Sequence, residues 1–181
     1  MRTSRTLVAA AAALTIVGMT GCSALSSTSD QPVDAQLSSI VADDSVVQST
    51  RLSSAQAMKA ASAALAAAEA DGTGFVSVSV VDRNGHLQAF VRGENAAGHT
   101  ITASRQKAYT AAAFGAPTSE LAERATGDGA GLRDLAGTLF LAGGVPVKAG
   151  DASVGGIGIG GAPSGDKDEE YAAAGLDAIS E

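Results

Sequence analysis

Between Phe75 and Val81 the chain alternates, with Phe75, Ser77 and Ser79 on one side and Val76, Val78 and Val80 on the other. That period of two predicts a half-buried strand. Asp82-Arg83-Asn84-Gly85 follows as a hairpin turn, because Asn-Gly takes the positive φ that tight hairpins need, and His86 to Arg92 is the return strand. Upstream, Ser53 and Gln56 form a capping box ahead of Ser54–Ala70, where nearly every residue favours a helix. Ala57, Ala61, Ala64, Leu65 and Ala68 share one stripe of it, and Asp71-Gly72-Thr73-Gly74 ends it. Downstream, Thr102 is positioned to cap a helix from Ala103 to Phe114, closed by Gly115 and Pro117, and Thr118 restarts a short helix from Ser119 to Ala125.

Two apolar runs, Leu139–Val147 and Val154–Ile159, joined by Lys148-Ala149-Gly150-Asp151, predict a second hairpin. In its second strand Ile157 and Ile159 alternate with Gly156, Gly158 and Gly160, so one face is bare backbone. Such a face predicts close approach by a packed helix or a ligand. Asp166, followed three residues later by Glu169, is a capping-box-like start for a last helix, Lys167 to Ile179. The order α-β-β-α-α-β-β-α predicts an α+β domain, an antiparallel sheet of two hairpins flanked by helices.

The first 21 residues do not belong to this pattern. Arg2 and Arg5 precede an apolar run from Leu7 to Val17, as in a signal peptide. Cys22, the only cysteine, follows Gly21 and precedes Ser23-Ala24, a lipobox-like setting in which it would be cleaved and lipidated. The predicted organisation is therefore a signal peptide over residues 1–21, a lipidated N-terminus and Ser-rich acidic tether over 22–50, and a domain over 51–181. The expected location is the outer face of the cell membrane, held by a lipid anchor, with plain secretion as the alternative. The net charge of −7 becomes −9 without the first 21 residues, since ten basic residues then face 19 acids. A domain so acidic argues against nucleic acid or an anionic lipid surface as partner. With no Trp, two Tyr and four Phe, the core has to come from Val, Ile, Leu and Ala, and oligomer formation would help bury enough apolar surface.

Gly156, Gly158 and Gly161 match G-x-G-x-x-G, but only twenty residues follow, too few for the βαβ unit a dinucleotide site requires. Asp166, Asp168, Glu169 and Glu170 read as capping and dipole-complementing charge at a helix start, with a metal site as the competing account. His86 and His99 lack partners at zinc-ligand spacing and read as surface residues. No nucleophile elbow is present, so no catalytic constellation is expected. On the second helix, Lys107, Thr110, Ala111 and Phe114 share a face and Arg105 and Tyr109 an adjoining one. A phenol, a hydroxyl and two cations together could hold a planar anionic ligand or sit over iron, because haem accepts oxygen donors and its propionates seek cations. The alternative is that Tyr109 and Phe114 are core and the cations solvated.

Lys107-Ala108-Tyr109-Thr110-Ala111, Phe114-Gly115-Ala116-Pro117-Thr118, Gly143-Gly144-Val145-Pro146-Val147 and Gly156 to Ala162 with Asp166 and Asp168 resemble the GlcG/HbpS family. The Val80-Val81-Asp82 turn with Gly85 belongs to the same pattern, and the resemblance spans Leu52 to Ile179. It is closest to the secreted haem-binding branch from actinobacteria. It implies a profilin-like fold that assembles into oligomers, haem binding outside the cell, haem breakdown with iron release under peroxide, and a membrane sensor kinase as partner. A threonine of the second helix is implicated in haem contact in that branch, and Thr110 matches it, with Tyr109, Lys107 and Arg105 beside it. Any haem breakdown would draw its chemistry from iron and peroxide. The competing expectations are a cofactor-free oligomeric module that docks on a membrane partner and, last, an enzyme acting on a small hydroxy or oxo acid.

Overall fold

A computed structural model describes Ser45 and residues 47–126 and 131–180. The leader, Cys22, most of the tether and the Asp128 loop lie outside the described residues. The described helices and strands fall within the unit Gln48–Glu181. They are α1 (Ser54–Ala70), β1 (Ser77–Asp82), β2 (Leu87–Arg92), α2 (Gly98–Phe114), α3 (Thr118–Arg124), β3 (Gly144–Ala149), β4 (Ala152–Gly160) and α4 (Gly165–Asp177). The strands form one antiparallel sheet in the order β2-β1-β4-β3. No described helix is long and apolar enough to cross a membrane.

Ser53 caps α1 as its sequence requires, its side chain accepting from the Gln56 N–H at 3.3 Å. Ser53→Ala should cost about 1 kcal/mol, read as a lower midpoint in chemical denaturation. Ala57, Ala60, Ala61, Ala64 and Ala68 are fully buried, and Leu65 packs beside them. This small-residue stripe lets α4 come close: a Cβ on Gly175 would lie 2.8 Å from the Ala60 carbonyl oxygen. Helices α1 and α4 cover one face of the sheet, where Val76, Val78, Val80, Ile157 and Ile159 form the main core.

Helix α2 covers the other face. The bare glycine surface of β4 meets its backbone: a Cβ on Gly156 would sit 2.2 Å from the Ala108 oxygen, and one on Gly158 2.2 Å from the Ser104 oxygen. Of the helix and the ligand that such a surface could receive, it is therefore the helix that occupies it. Strand β1 is buried on both faces, not one. Its serines look solvent-facing in sequence but hydrogen-bond to hydroxyls of α2, Ser77 to Thr100 at 2.8 Å and Ser79 to Ser104 at 2.9 Å. Buried hydroxyls paired in this way avoid the cost of desolvation without a partner.

Several boundaries differ from expectation. Helix α2 begins at Gly98, a turn before Thr102, and its N-cap residue Ala97 offers no side-chain cap. Its end is as expected, with Gly115 in the left-handed region at φ 68°. Pro117, not Thr118, occupies the N-cap position of α3. Ser164, not Asp166, caps α4 by accepting from the Lys167 N–H, so α4 starts two residues early. The first hairpin turn uses positive φ at Gly85 but not at Asn84. Residues 139–143 precede β3 without joining the sheet, although they continue its apolar run. The phase of β3 is set by the Ile159 N–H donating to the Gly143 carbonyl. Gly144 and Pro146 therefore turn their backbone outward, and the Gly144 N–H donates to Thr118 Oγ1 at 2.8 Å.

Candidate functional site

The four residues expected on α2 point to different places. Thr110 is wholly buried; its hydroxyl donates to the Gln106 carbonyl at 2.7 Å and accepts from the Leu139 N–H at 2.9 Å. It thus fastens the start of the 139–143 segment to the helix. Lys107 is also buried and pairs with Asp168 of α4 at 2.6 Å. Burial pushes the Asp168 carboxyl above its ordinary range, while Lys107 and the Ala162 and Gly161 N–H groups pull it down. Tyr109 is half-buried on the opposite flank of α2, its ring against Gly85 of the first hairpin and beside Val81. Arg105 is exposed. The structure thus sets Thr110 and Lys107 on the side of the 139–143 segment and Tyr109 on the side of the β1–β2 turn.

Two acidic residues that read as simple end charge reach across the fold. Beside Asp168, Glu169 accepts from Ser119 Oγ at 2.5 Å, from the Ser119 N–H at 3.1 Å and from the Gly143 N–H at 3.1 Å. The first turn of α4 therefore clamps α2, α3 and the 139–143 segment together. No described group of three or more His, Cys, Asp and Glu side chains could hold a metal ion.

Between α3 and the fastened segment runs a groove of about 470 Å³ lined by Ala122, Ala125, Arg133, Thr138, Phe140 and Leu141, among others. Phe140 forms an edge-to-face pair with Phe114, ring centroids 5.5 Å apart. Leu141 is 58 % exposed, and Leu132 and Leu135 are also exposed. Large apolar side chains grouped at the surface mark a binding surface. In sequence Leu139–Leu141 has the pattern of a strand, which hides this groove. The available signal was three consecutive apolar residues without alternation, followed by Gly143-Gly144.

Residues 52–177 match the family model described as haem degrading protein HbpS-like. The chain belongs to this family. The crystal structure of HbpS is 49 % identical to it, with a TM-score of 0.73, covering 78 % of this chain and 99 % of that one. A double mutant of HbpS from Streptomyces reticuli is 48 % identical with a TM-score of 0.72, covering 78 % and 95 %. A structure described as a PduOC–heme complex is 26 % identical with a TM-score of 0.64, covering 71 % and 95 %. No curated protein gives a significant match. The HbpS-like relationship accords with the profilin-like α+β fold expected from the sequence.

Proposed function

We propose that this HbpS-like protein binds haem in the groove above Thr110, outside the cytoplasmic membrane and anchored there through Cys22. The observation that carries the reading is the exposed apolar groove itself, in a chain whose family is described by haem degradation. The residues fit a flat amphipathic macrocycle. Ala122, Ala125, Phe140 and Leu141 offer an apolar wall, and Arg133 brings a guanidinium to the lining, the partner a propionate seeks. Thr110 serves the site through Leu139, because both hydrogen-bonding directions of its hydroxyl are already engaged. Lys107 serves through the clamp on α4, and Tyr109 and Arg105 belong to the opposite flank. Bound haem would supply iron chemistry with peroxide; the chain orients the ring and excludes water from one of its faces. Haem sequestration or redox sensing, coupled to a membrane sensor kinase and an oligomeric assembly, is the role this chemistry suits.

Hemin added to the purified protein should produce a shifted Soret band, and Leu141→Glu, at an exposed position, should weaken uptake at least tenfold without lowering the melting temperature. Absence of a Soret shift in the unaltered protein overturns the reading. In that case the same apolar surface favours the cofactor-free oligomeric module, and sedimentation of Leu141→Glu as a smaller species would support it.

A further inference from the structure

The Ser49–Arg51 segment ahead of α1, the first hairpin turn and the start of β4 meet around a pocket of about 250 Å³ that shares no residue with the groove. Two guanidiniums line it, those of Arg51 and Arg83. In a chain with 19 acidic residues, neither pairs with a carboxylate among the described residues. Arg83 makes one bond, from Nη1 to the Ser153 carbonyl at 3.4 Å, which lays its side chain across from the β1–β2 turn to β4. The side chains of Arg51, Ser49 and Thr50 and the Asn84 amide, all in the lining, have no hydrogen-bond partner among the described residues. The carboxylate in the lining is that of Asp82, which is buried and engaged elsewhere. One of its oxygens accepts from the Asn84 N–H at 2.8 Å and the His86 N–H at 3.0 Å, and the other lies 3.0 Å from His86 Nδ1.

Like charges lining one small pocket repel, and an anion between them turns that repulsion into two attractions. A guanidinium offers a planar fork of donors that matches the oxygens of a carboxylate or a phosphate. Here the free donors come from two separate segments, Ser49–Arg51 and Arg83–Asn84. A carboxylate has two oxygens in one plane, whereas a phosphate points its oxygens in several directions and can meet both segments together. We propose that this pocket binds the phosphate group of a small soluble anion between Arg51 and Arg83, and so ties the end of the tether to the first hairpin. An anionic lipid headgroup carries the same chemistry, but the net negative charge of the domain sets it against an anionic bilayer. The inference is independent of the haem-binding reading.

The test titrates the purified full-length protein with inorganic phosphate by calorimetry. The unaltered protein should bind saturably at one site, and its melting temperature should rise with phosphate. Phosphate also stabilises proteins by exclusion from their surface, so the informative part of that rise is the part lost on mutation. Arg51→Gln and Arg83→Gln, both at exposed positions, should each weaken binding by about tenfold or more. Arg83→Lys keeps the charge without the fork and should also weaken it. Lys59→Gln removes the same charge from the exposed side of α1 and should leave binding unchanged. Absence of saturable binding in the unaltered protein overturns the inference, as does an equal loss in Lys59→Gln, which would mark a diffuse charge effect. Binding of dihexanoyl phosphatidylglycerol by a protein that ignores inorganic phosphate would assign the pocket to a lipid headgroup and overturn the soluble source. A hemin titration of Arg51→Gln that matches the parent would keep the two sites apart, and its loss together with phosphate binding would overturn their independence.

Discussion

Gly158→Ala is expected to yield little folded protein. A Cβ there would sit 2.2 Å from the Ser104 carbonyl oxygen and 2.3 Å from the Ala108 nitrogen. Both are backbone atoms of α2, so no side-chain rotation relieves the clash, and the helix would have to lift from the sheet. Lifting it would also part the Ser79–Ser104 and Ser77–Thr100 hydroxyl pairs. The expected cost exceeds about 4 kcal/mol, in the range reserved for named steric or burial defects. Gly160→Ala is the internal control. Its Cβ would approach the Ala103 methyl at 3.1 Å, with Ser104 N and the Thr100 oxygen at 3.3 Å. A shift of a few tenths of an ångström accommodates it, at about 1 kcal/mol. Circular dichroism melts and soluble yield measure both, and a Gly158→Ala protein melting with the parent would refute the packing described.

Lys107→Met carries the second large effect. Removing the cation leaves the buried Asp168 facing α2 with only the N–H groups near Ala162 to answer it. Breaking a buried pair on one side costs about 3–5 kcal/mol, whereas replacing both members by apolar residues is often nearly neutral. Lys107→Met should therefore be far less stable in denaturant than the double variant Lys107→Met, Asp168→Leu. The pH dependence gives an independent reading. Burial already holds the Asp168 carboxyl above its ordinary value of 3.8, and loss of Lys107 removes one of the influences that lower it. A carboxyl whose folded pKa lies above its unfolded pKa favours the folded state when protonated. The stability deficit of Lys107→Met should thus narrow as the pH falls toward that ordinary value and widen as it rises. A deficit independent of pH would assign the loss to packing alone.

The parts of the fold legible in the sequence were those governed by local chemistry. Ser53 with Gln56 fixed the start of α1, Gly115 ended α2, and the glycine alternation of β4 announced that backbone would approach it. What misled was polarity satisfied at long range. Ser77 and Ser79 have the periodicity of a wet face, yet their partners lie on α2, more than twenty residues away. Asp168 and Glu169 have the position of helix-end charges, yet they bind Lys107, Ser119 and Gly143. The candidate site shows the same division. Thr110 stands out on α2 in the sequence, but its hydrogen bond with the Leu139 N–H does not, because Leu139 and its apolar neighbours have the pattern of a strand. In sequence His86 has the setting of an ordinary surface residue; its hydrogen bond with Asp82, four positions earlier, exists only because a tight turn folds that carboxylate back.

The outward phase of Gly144 and Pro146 also determines how copies of this sheet can meet. An edge strand offers unpaired N–H groups on which another strand can grow. On β3 one of these is already held by Thr118 and the next is missing, because proline has none. The border beyond β3 is thus closed to templated growth from within the chain by a side-chain hydrogen bond and a proline, beside the exposed Lys148. If two molecules ever continue one another's sheet, they must do so through β2, edge against like edge, and such pairing ends at two.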